Sequence, residues 1–413
     1  MRQLPLPLYG LTFLALFFTG CAASSTKPIP ILETVPSGDL TWVGELPVLH
    51  LSGSPYQMGY QQGSLLRSEV RASVKNAMAF VNGQSGIPVI GRLLARQKLD
   101  HAWKQMAPFV PSSTLEELQG LSDGAGVPLK DLQRVHALPE LMATTCASFA
   151  AFGKATQGGR LIQVRNLDWA IQSDVQRYAA IFVYHPREKH SFVSIGWLGF
   201  IGVISGIGEG GISVGEIGAK TQDASLEGIP MPFLLKEVLE ESDDLREAVS
   251  IVQTASRTGG YNYLFADASR AQAVALETTR SRCAVFWADQ EPDVPFGLEV
   301  HNAIFRSDWA LDPDVRDLQR ASRGDPSRPG LESPLGSSAY DVRYRGQGQL
   351  LLKFHGVIDP EIAMAIARAI APSSNIQSVV YAFPELWVAN SKERQPAAMG
   401  RYIEVNLEDL LKR

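Results

Sequence analysis

From Cys146 to Trp169 the chain reads CASFAAFGKATQGGRLIQVRNLDW, two short runs that return on each other across a glycine pair. The run Phe149 to Thr156 mixes apolar and small residues, Gly158-Gly159 supplies the turn, and Leu161 to Val164 lead back. Strands paired symmetrically about that turn bring Arg165 and Asp168 beside the first residues of the outgoing strand. A thiol at a strand end then has a cation and a carboxylate within reach, the setting of an activated nucleophile. The same residues also suit a buried core cysteine beside a structural Arg–Asp pair. The hairpin alone leaves both readings open.

The N-terminus bears on which cysteines are free for chemistry. Arg2 is followed by a mostly apolar stretch, Leu4 to Phe18, and then by Thr19-Gly20-Cys21. That stretch is short for a bilayer span and ends in small residues, as a secretory signal does. FTGC resembles a bacterial lipoprotein cleavage box with Cys21 as the lipidated residue, although Phe18 stands where leucine is usual. AASSTKPIP after it is a polar, proline-containing tether. The expectation is a signal over residues 1–20, a tether over 21–45, and a globular body held by lipid in the bacterial cell envelope, facing periplasm or exterior. An ordinary secreted protein is the other reading.

Of the three cysteines, Cys21 then goes to the anchor, leaving Cys146 and Cys283, too few for a disulfide scaffold in a chain of 413 residues. A Cys146–Cys283 bridge is compatible with export and would remove the nucleophile. With 45% hydrophobic and 20% charged residues and a net charge of −5, the chain has a sizeable core and no basic field for nucleic acid.

From about Ser54 to Ala143, within the segment 46–145 ahead of the cysteine, the chain reads as helical. Ser54-Pro55 is an N-cap with proline at the first helical position, Ser113 with Glu116 resembles a capping box, Gly124-Ala125-Gly126 closes that helix, and Pro128 opens another. Strands dominate from Cys146 onward. They are expected at Ala180 to Tyr184, Phe192 to Ile195, Gly199 to Ser205, Ile212 to Ile217, Tyr261 to Ala266, Ala273 to Glu277 and Ala284 to Trp287. Helices are expected at Phe233 to Glu240, Leu245 to Ala255 and Pro360 to Ala369, with closing strands near Ser378 to Phe383 and Leu386 to Val388. Gly324 to Gly336, rich in Gly, Pro and Ser, reads as a loop. Strand runs broken by paired helices predict an α+β layered body with mostly antiparallel sheets.

Two short motifs fail on context. Gly206 to Gly211 satisfies G-x-G-x-x-G, but a dinucleotide fingerprint needs a helix next, and Ile212 to Ile217 alternates like a strand. The overlapping Gly211-Ile212-Ser213-Val214-Gly215 spells a nucleophile elbow, which also requires a following helix. Histidines at 50, 101, 136, 185, 190, 301 and 355 include no i, i+4 pair. Neither a metal nor another cofactor is expected.

Six segments in order resemble the acyl-CoA:6-aminopenicillanic acid acyltransferase-like N-terminal-nucleophile hydrolases. They are SGSPYQMGYQQG from Ser52, ELQGLSDGAGVPLKDL from Glu117, CASF with GGRLIQVRNLDW, GIGEGGISVG, YNYLFADASRAQAVALE from Tyr261, and SSAYDVRYRGQGQLL from Ser337. The resemblance implies a four-layer αββα sandwich over residues 146–413, preceded by a helical pro-segment. It also implies self-cleavage of the Thr145–Cys146 bond, so that Cys146 becomes both nucleophile and, through its new α-amine, general base. Such an amine has a pKa near 7.7–8.0 and needs no histidine partner.

By the same resemblance Asp168 hydrogen-bonds the amine or thiol, Arg165 biases the thiol toward thiolate, and Asn262 donates to an oxyanion hole. Loss of such a donor costs roughly 3–4 kcal/mol. Arg343 supports the nucleophile pocket, with Arg345 as its rival. The plainer alternatives are structural salt bridges for Arg165 and Asp168 and a locally bonded strand amide for Asn262. Two departures stand out. Gly208 replaces the usual asparagine of G-x-N-E-x-G and would serve an oxyanion only through its backbone N–H, and the usual N-H-F is displaced in Val300-His301-Asn302-Ala303-Ile304-Phe305.

The implied activity is transfer of an acyl group, fatty or aromatic, from a small amide or ester substrate through a thioester to water or an amine. The competing readings are a non-catalytic surface lipoprotein that binds a ligand, and a serine esterase using Ser213.

Overall fold

The computed structural model describes residues 38–83, 90–142, 145–290, 297–322, 339–391 and 395–412. The expected signal, lipidation at Cys21 and most of the tether lie outside the described residues, as does the loop at 324–336. All described residues fall in one compact unit.

The chain opens with β1 (Asp39–Val43) and β2 (Leu46–Gly53), then α1 (Pro55–Leu65), α2 (Arg67–Gly83), α3 (Ile90–Met106), α4 (Ser112–Ala125), α5 (Leu129–His136) and α6 (Leu138–Leu141). The hairpin β3 (Thr145–Ala151) and β4 (Ile162–Asp168) follows, then β5 (Ala179–Pro186), β6 (Phe192–Trp197), β7 (Ser205–Gly208) and β8 (Ile212–Gly218). Next come α7 (Met231–Glu241), α8 (Leu245–Thr254), β9 (Tyr261–Asp267), β10 (Gln272–Thr278), β11 (Cys283–Trp287) and β12 (Ala303–Arg306). The last part is α9 (Pro313–Ser322), α10 (Ala339–Lys353), α11 (Pro360–Ile370), β13 (Asn375–Ala382), β14 (Glu385–Asn390), β15 (Ile403–Asn406) and α12 (Leu407–Leu411).

Among the described residues the strands form two sheets. One has the order β1-β2-β5-β6-β7-β8-β9-β10-β11, the other β12-β3-β4-β13-β14-β15. Alternation along the strands assigns their faces. Val379 and Tyr381 of β13 pack on Ile181 and Val183 of β5 between the sheets. Their neighbour Val380, with Phe149 and Val164, turns the other way onto Ala363 and Ala367 of α11. On the far side of the larger sheet, Leu49, Phe182 and Val214 meet Met58, Leu118 and Leu235 of the helices. The result is four layers, α-β-β-α.

Residues 46–145 are not a helical module ahead of this sandwich. β2 pairs in parallel with β5, so the segment supplies a strand of the larger sheet as well as helices on its outer face, and the edge strand β1, paired with β2, lies in the span expected as tether. Ser54 caps α1 as read, its hydroxyl accepting from the Gln57 amide while Gln57 returns a bond to the Ser54 amide. The Ser113–Glu116 box does not form, because α4 already starts at Ser112 behind Pro111. Gly199 to Ser205 is not a strand: Gly199 and Gly202 take φ of 86° and 102°, outside the extended region, and β7 begins only at Ser205. SSAYDVRYRGQGQLL carries helix α10, which two glycines hide from a periodicity reading; a Cβ on one of them, Gly348, would sit 2.8 Å from the Phe305 ring.

The tightest helix contact joins α1 to α4. A Cβ on Gly120 would lie 2.0 Å from the Tyr56 carbonyl oxygen, which is backbone and has nowhere to go. We expect Gly120→Ala to force the helices apart and cost about 1–3 kcal/mol or more. Urea denaturation measures it, and an unchanged midpoint would mean that the two helices separate freely.

Candidate active site

Register explains which side chains meet. Cys146 pairs with Leu167 and Ser148 with Arg165, so these four share the inner face of the smaller sheet, toward the larger one. Thr145 pairs with Asp168, and both therefore sit on the outer face, toward α10 and α11. The outgoing strand stops at Ala151 rather than reaching Thr156. Two short 3-10 turns and Gly158-Gly159 make the connection, and the register still returns Arg165 and Asp168 to the Cys146 end.

The larger sheet offers a gap at this point. β7 opposes β8 only as far as Gly215, so Glu216 has no partner on that side. Arg165 passes Gly215 closely (a Cβ there would be 3.1 Å from its Cγ) and uses the gap. Its Nη2 donates to the Glu216 carbonyl at 3.3 Å and to Glu216 Oε1 at 2.7 Å, and lies 3.6 Å from the Cys146 sulfur. The thiol in turn lies 3.9 Å from Glu216 Oε1. Cys146, Arg165 and Glu216 are all buried, and among the described residues Arg165 Nε and Nη1 and Glu216 Oε2 have no hydrogen-bond partner.

Burial pushes the Cys146 thiol well above its usual pKa, the Glu216 carboxylate adds to that rise, and Arg165 opposes it. The guanidinium is already committed to Glu216, so it does not produce a resting thiolate. The thiol waits protonated and needs a base. No histidine hydrogen-bonds it among the described residues. The nearby His136 holds the Leu132 carbonyl through Nδ1 and takes the Ile201 N–H at Nε2, and burial pulls its pKa down to about 4.

On the outer face Asp168 is held by Arg343 Nη1 at 2.5 Å, by the Thr145 hydroxyl at 3.3 Å and by Asn375 Nδ2 at 3.4 Å. Burial raises the Asp168 carboxyl and Arg343 pulls it back. Arg343, not Arg345, makes this ion pair. The backbone N–H of Cys146 donates to Asp308 Oδ1 at 2.8 Å. Asn262, on β9, donates one amide N–H to the Ser307 carbonyl at 2.9 Å, which anchors the segment that carries Asp308, and its amide nitrogen bears a second N–H.

Three other sequence expectations are redirected. Gly208 ends β7, and Glu216, which neighbours Cys146, lies four residues beyond Ile212, about 13 Å further along the strand; Gly208 is not beside Cys146. The Ser213 hydroxyl is buried between the sheets and bonds Gln163 of β4, with no elbow around it. Cys146 and Cys283 are both free, on different sheets. The reading of the sequence missed Glu216 and Asp308. Glu216 had a signal, a lone charge in the apolar strand ISVGEIG. Asp308 had none nearby, because its partner lies 162 positions earlier.

Two spaces open beside the site. An apolar cavity is lined by Leu167, Trp169, Trp197, Phe200, Met231 and Ile376, with Glu216 in its wall. Pro139 and Tyr261 border both this cavity and a polar cleft lined by Glu140, Lys220, Ser225 and Thr258. Glu140 braces that partition: it accepts from the Thr258 hydroxyl at 2.6 Å, the Tyr261 hydroxyl at 3.0 Å and the Met231 amide at 2.8 Å.

Residues 155–291 match the family model of acyl-coenzyme A:6-aminopenicillanic acid acyl-transferase. The matched span contains Arg165, Asp168, Glu216 and Asn262, and starts after Cys146. The chain is 30% identical over 254 residues to protein dcd1B of Dictyostelium discoideum, covering 56% of this chain and 51% of that one. It is 27% identical over 312 residues to an uncharacterized protein of Archaeoglobus fulgidus, covering 68% and 52%. The chain thus spans about half the length of these curated relatives. Among solved structures, an N-acylethanolamine-hydrolyzing acid amidase ortholog of Caenorhabditis elegans aligns with a TM-score of 0.41 at 15% identity, over 57% of this chain and 92% of that one. Penicillin V acylase of Agrobacterium tumefaciens aligns with a TM-score of 0.44 at 12% identity, over 65% and 88%.

Proposed function

We propose that this chain is a self-processing cysteine hydrolase or acyltransferase that takes an apolar acyl group from an amide or ester. One observation carries the reading: the buried Cys146 thiol lies between Arg165 and Glu216 at the start of a strand, beside an apolar cavity. The family match supports acyl transfer as the class of chemistry.

Processing comes first. The thiol adds to the Thr145 carbonyl, the C–N bond breaks, and the thiol proton ends on the Cys146 nitrogen. Water then hydrolyses the thioester, leaving a carboxylate on Thr145 and a free amine and thiol on Cys146. In turnover that amine takes the thiol proton as sulfur adds to the substrate carbonyl, and passes it to the departing amine or alcohol. Water or a small amine attacks the acyl-thioester and restores the thiol. The unpartnered donors of Arg165 meet the negative charge of the tetrahedral intermediates, in a site dry enough to strengthen them. The acyl chain occupies the apolar cavity, and the leaving group faces the polar cleft. The FTGC segment would hold the enzyme at a membrane surface through lipid on Cys21.

The test is the mass of the purified protein, alone and after brief exposure to decanoyl 4-nitrophenyl ester. Two polypeptides are expected, the larger beginning at Cys146 and carrying a hydroxylamine-labile decanoyl group on that residue. A single uncut chain with Cys146 unmodified overturns the reading.

A further inference from the structure

The segment from Arg306 to Asp312 leaves β12 and crosses toward the larger sheet under unusual restraint. Buried Arg306 pairs with buried Glu277 at 2.6 Å, and the other Glu277 oxygen accepts the Leu311 and Asp312 amides at 2.8 and 2.7 Å. Gln347 holds the Arg306 carbonyl at 3.2 Å, and Asn262 holds that of Ser307 at 2.9 Å. Between these ties stands Asp308, 1% exposed, with Oδ1 on the Cys146 nitrogen at 2.8 Å.

The β-ladder shows what is unusual here. β12 pairs with β3 up to Arg306 opposite Ser148, and continuing that register would put residue 308 opposite Cys146. In a plain antiparallel ladder a backbone carbonyl would take the Cys146 N–H. Here the strand has ended and a carboxylate takes it. A neutral carbonyl suffices for an amide that stays an amide, whereas an anion is the better partner for a nitrogen that becomes an ammonium.

We propose that Asp308 is a catalytic residue whose carboxylate holds the Cys146 nitrogen through both stages of the chemistry. This rests on the N-terminal-cysteine reading above. In processing, Asp308 steadies the positive charge that grows on nitrogen as the Thr145–Cys146 bond breaks and the thiol proton arrives. In turnover it orients the free α-amine and stabilises its ammonium form between taking the thiol proton and giving it up. The other charged groups that face this corner are paired among themselves: Arg165 of β4 with Glu216 of β8, and Asp168 of β4 with Arg343 of α10, which also lies in the field of Asp308.

Asp308→Asn keeps the size and removes the charge. Self-cleavage is expected to slow by about 100-fold, and hydroxylamine is expected to release no fragment from the uncut variant, because the acyl shift itself is blocked. In whatever fraction does mature, the acid limb of kcat/KM moves to lower pH by about one unit, since a lost carboxylate no longer favours the ammonium. Asp308→Glu restores cleavage in part, and it carries the test if the asparagine variant melts at a much lower temperature. Two results overturn the role: cleavage at the wild-type rate with an unmoved acid limb, or an uncut variant that hydroxylamine splits at Cys146. If the wild-type chain itself neither cuts nor acylates at Cys146, the functional reading falls; if it does both and Asp308→Asn matches it, only the role of Asp308 falls.

Discussion

Cys146→Ala leaves the chain as one uncut polypeptide and lowers acyl-ester turnover on the order of 10⁵–10⁶-fold. The expected effect is large because in the proposed mechanism one residue supplies two functions. The thiol is lost as nucleophile, and without self-cleavage no α-amine exists to serve as base. Cys146→Ser separates the two, since a hydroxyl in the same place can still undergo the acyl shift, only more slowly. Ser213→Ala, by contrast, removes a hydroxyl spent on Gln163 between the sheets and should leave turnover within about two-fold. Turnover that survives Cys146→Ala but not Ser213→Ala would transfer the chemistry to the serine.

The second large effect is on stability. Arg165→Met strands Glu216 as a buried carboxylate, and breaking such a pair costs about 3–5 kcal/mol. Adding Glu216→Gln should recover most of that loss, because the double variant leaves no uncompensated charge. Burial already holds the Glu216 carboxyl above its usual pKa in the folded state, and loss of Arg165, which opposes that rise, lifts it further. The folded form then binds more protons than the unfolded one, so the Arg165→Met deficit grows as pH rises through that range and shrinks in acid. Urea denaturation across pH measures both effects. A single-variant cost below about 1 kcal/mol would mean that water reaches the pair.

The hairpin from Cys146 was legible because two-residue alternation and a glycine turn are local signals, and its register then carried Arg165 and Asp168 to the right end. Arg343 was visible only as a motif, since Gly346 and Gly348 conceal the helix that delivers it. The strand expected across Gly199 to Ser205 failed on two left-handed glycines, and the gap they leave is what lets Arg165 reach Glu216. Glu216 and Asp308 act through contacts 70 and 162 positions long, which no window along the chain contains. That one N–H of Asn262 is spent on the Ser307 carbonyl was not legible either, because this contact spans 45 positions.

The parallel pairing of β2 with β5 carries a consequence for how the molecule comes to exist. Severing the chain at Thr145 would divide both the larger sheet and the helical layer that covers it between two polypeptides, with β1, β2 and α1–α6 on one side of the cut and α7, α8 and Cys146 on the other. The core around Phe149, Val164 and Val380 lies within the larger piece, whereas the core between the larger sheet and its helices draws on both. With the self-cleavage proposed above, this topology would set an order of assembly, folding as one chain before the cut, and mixing separately denatured halves should not return the fold.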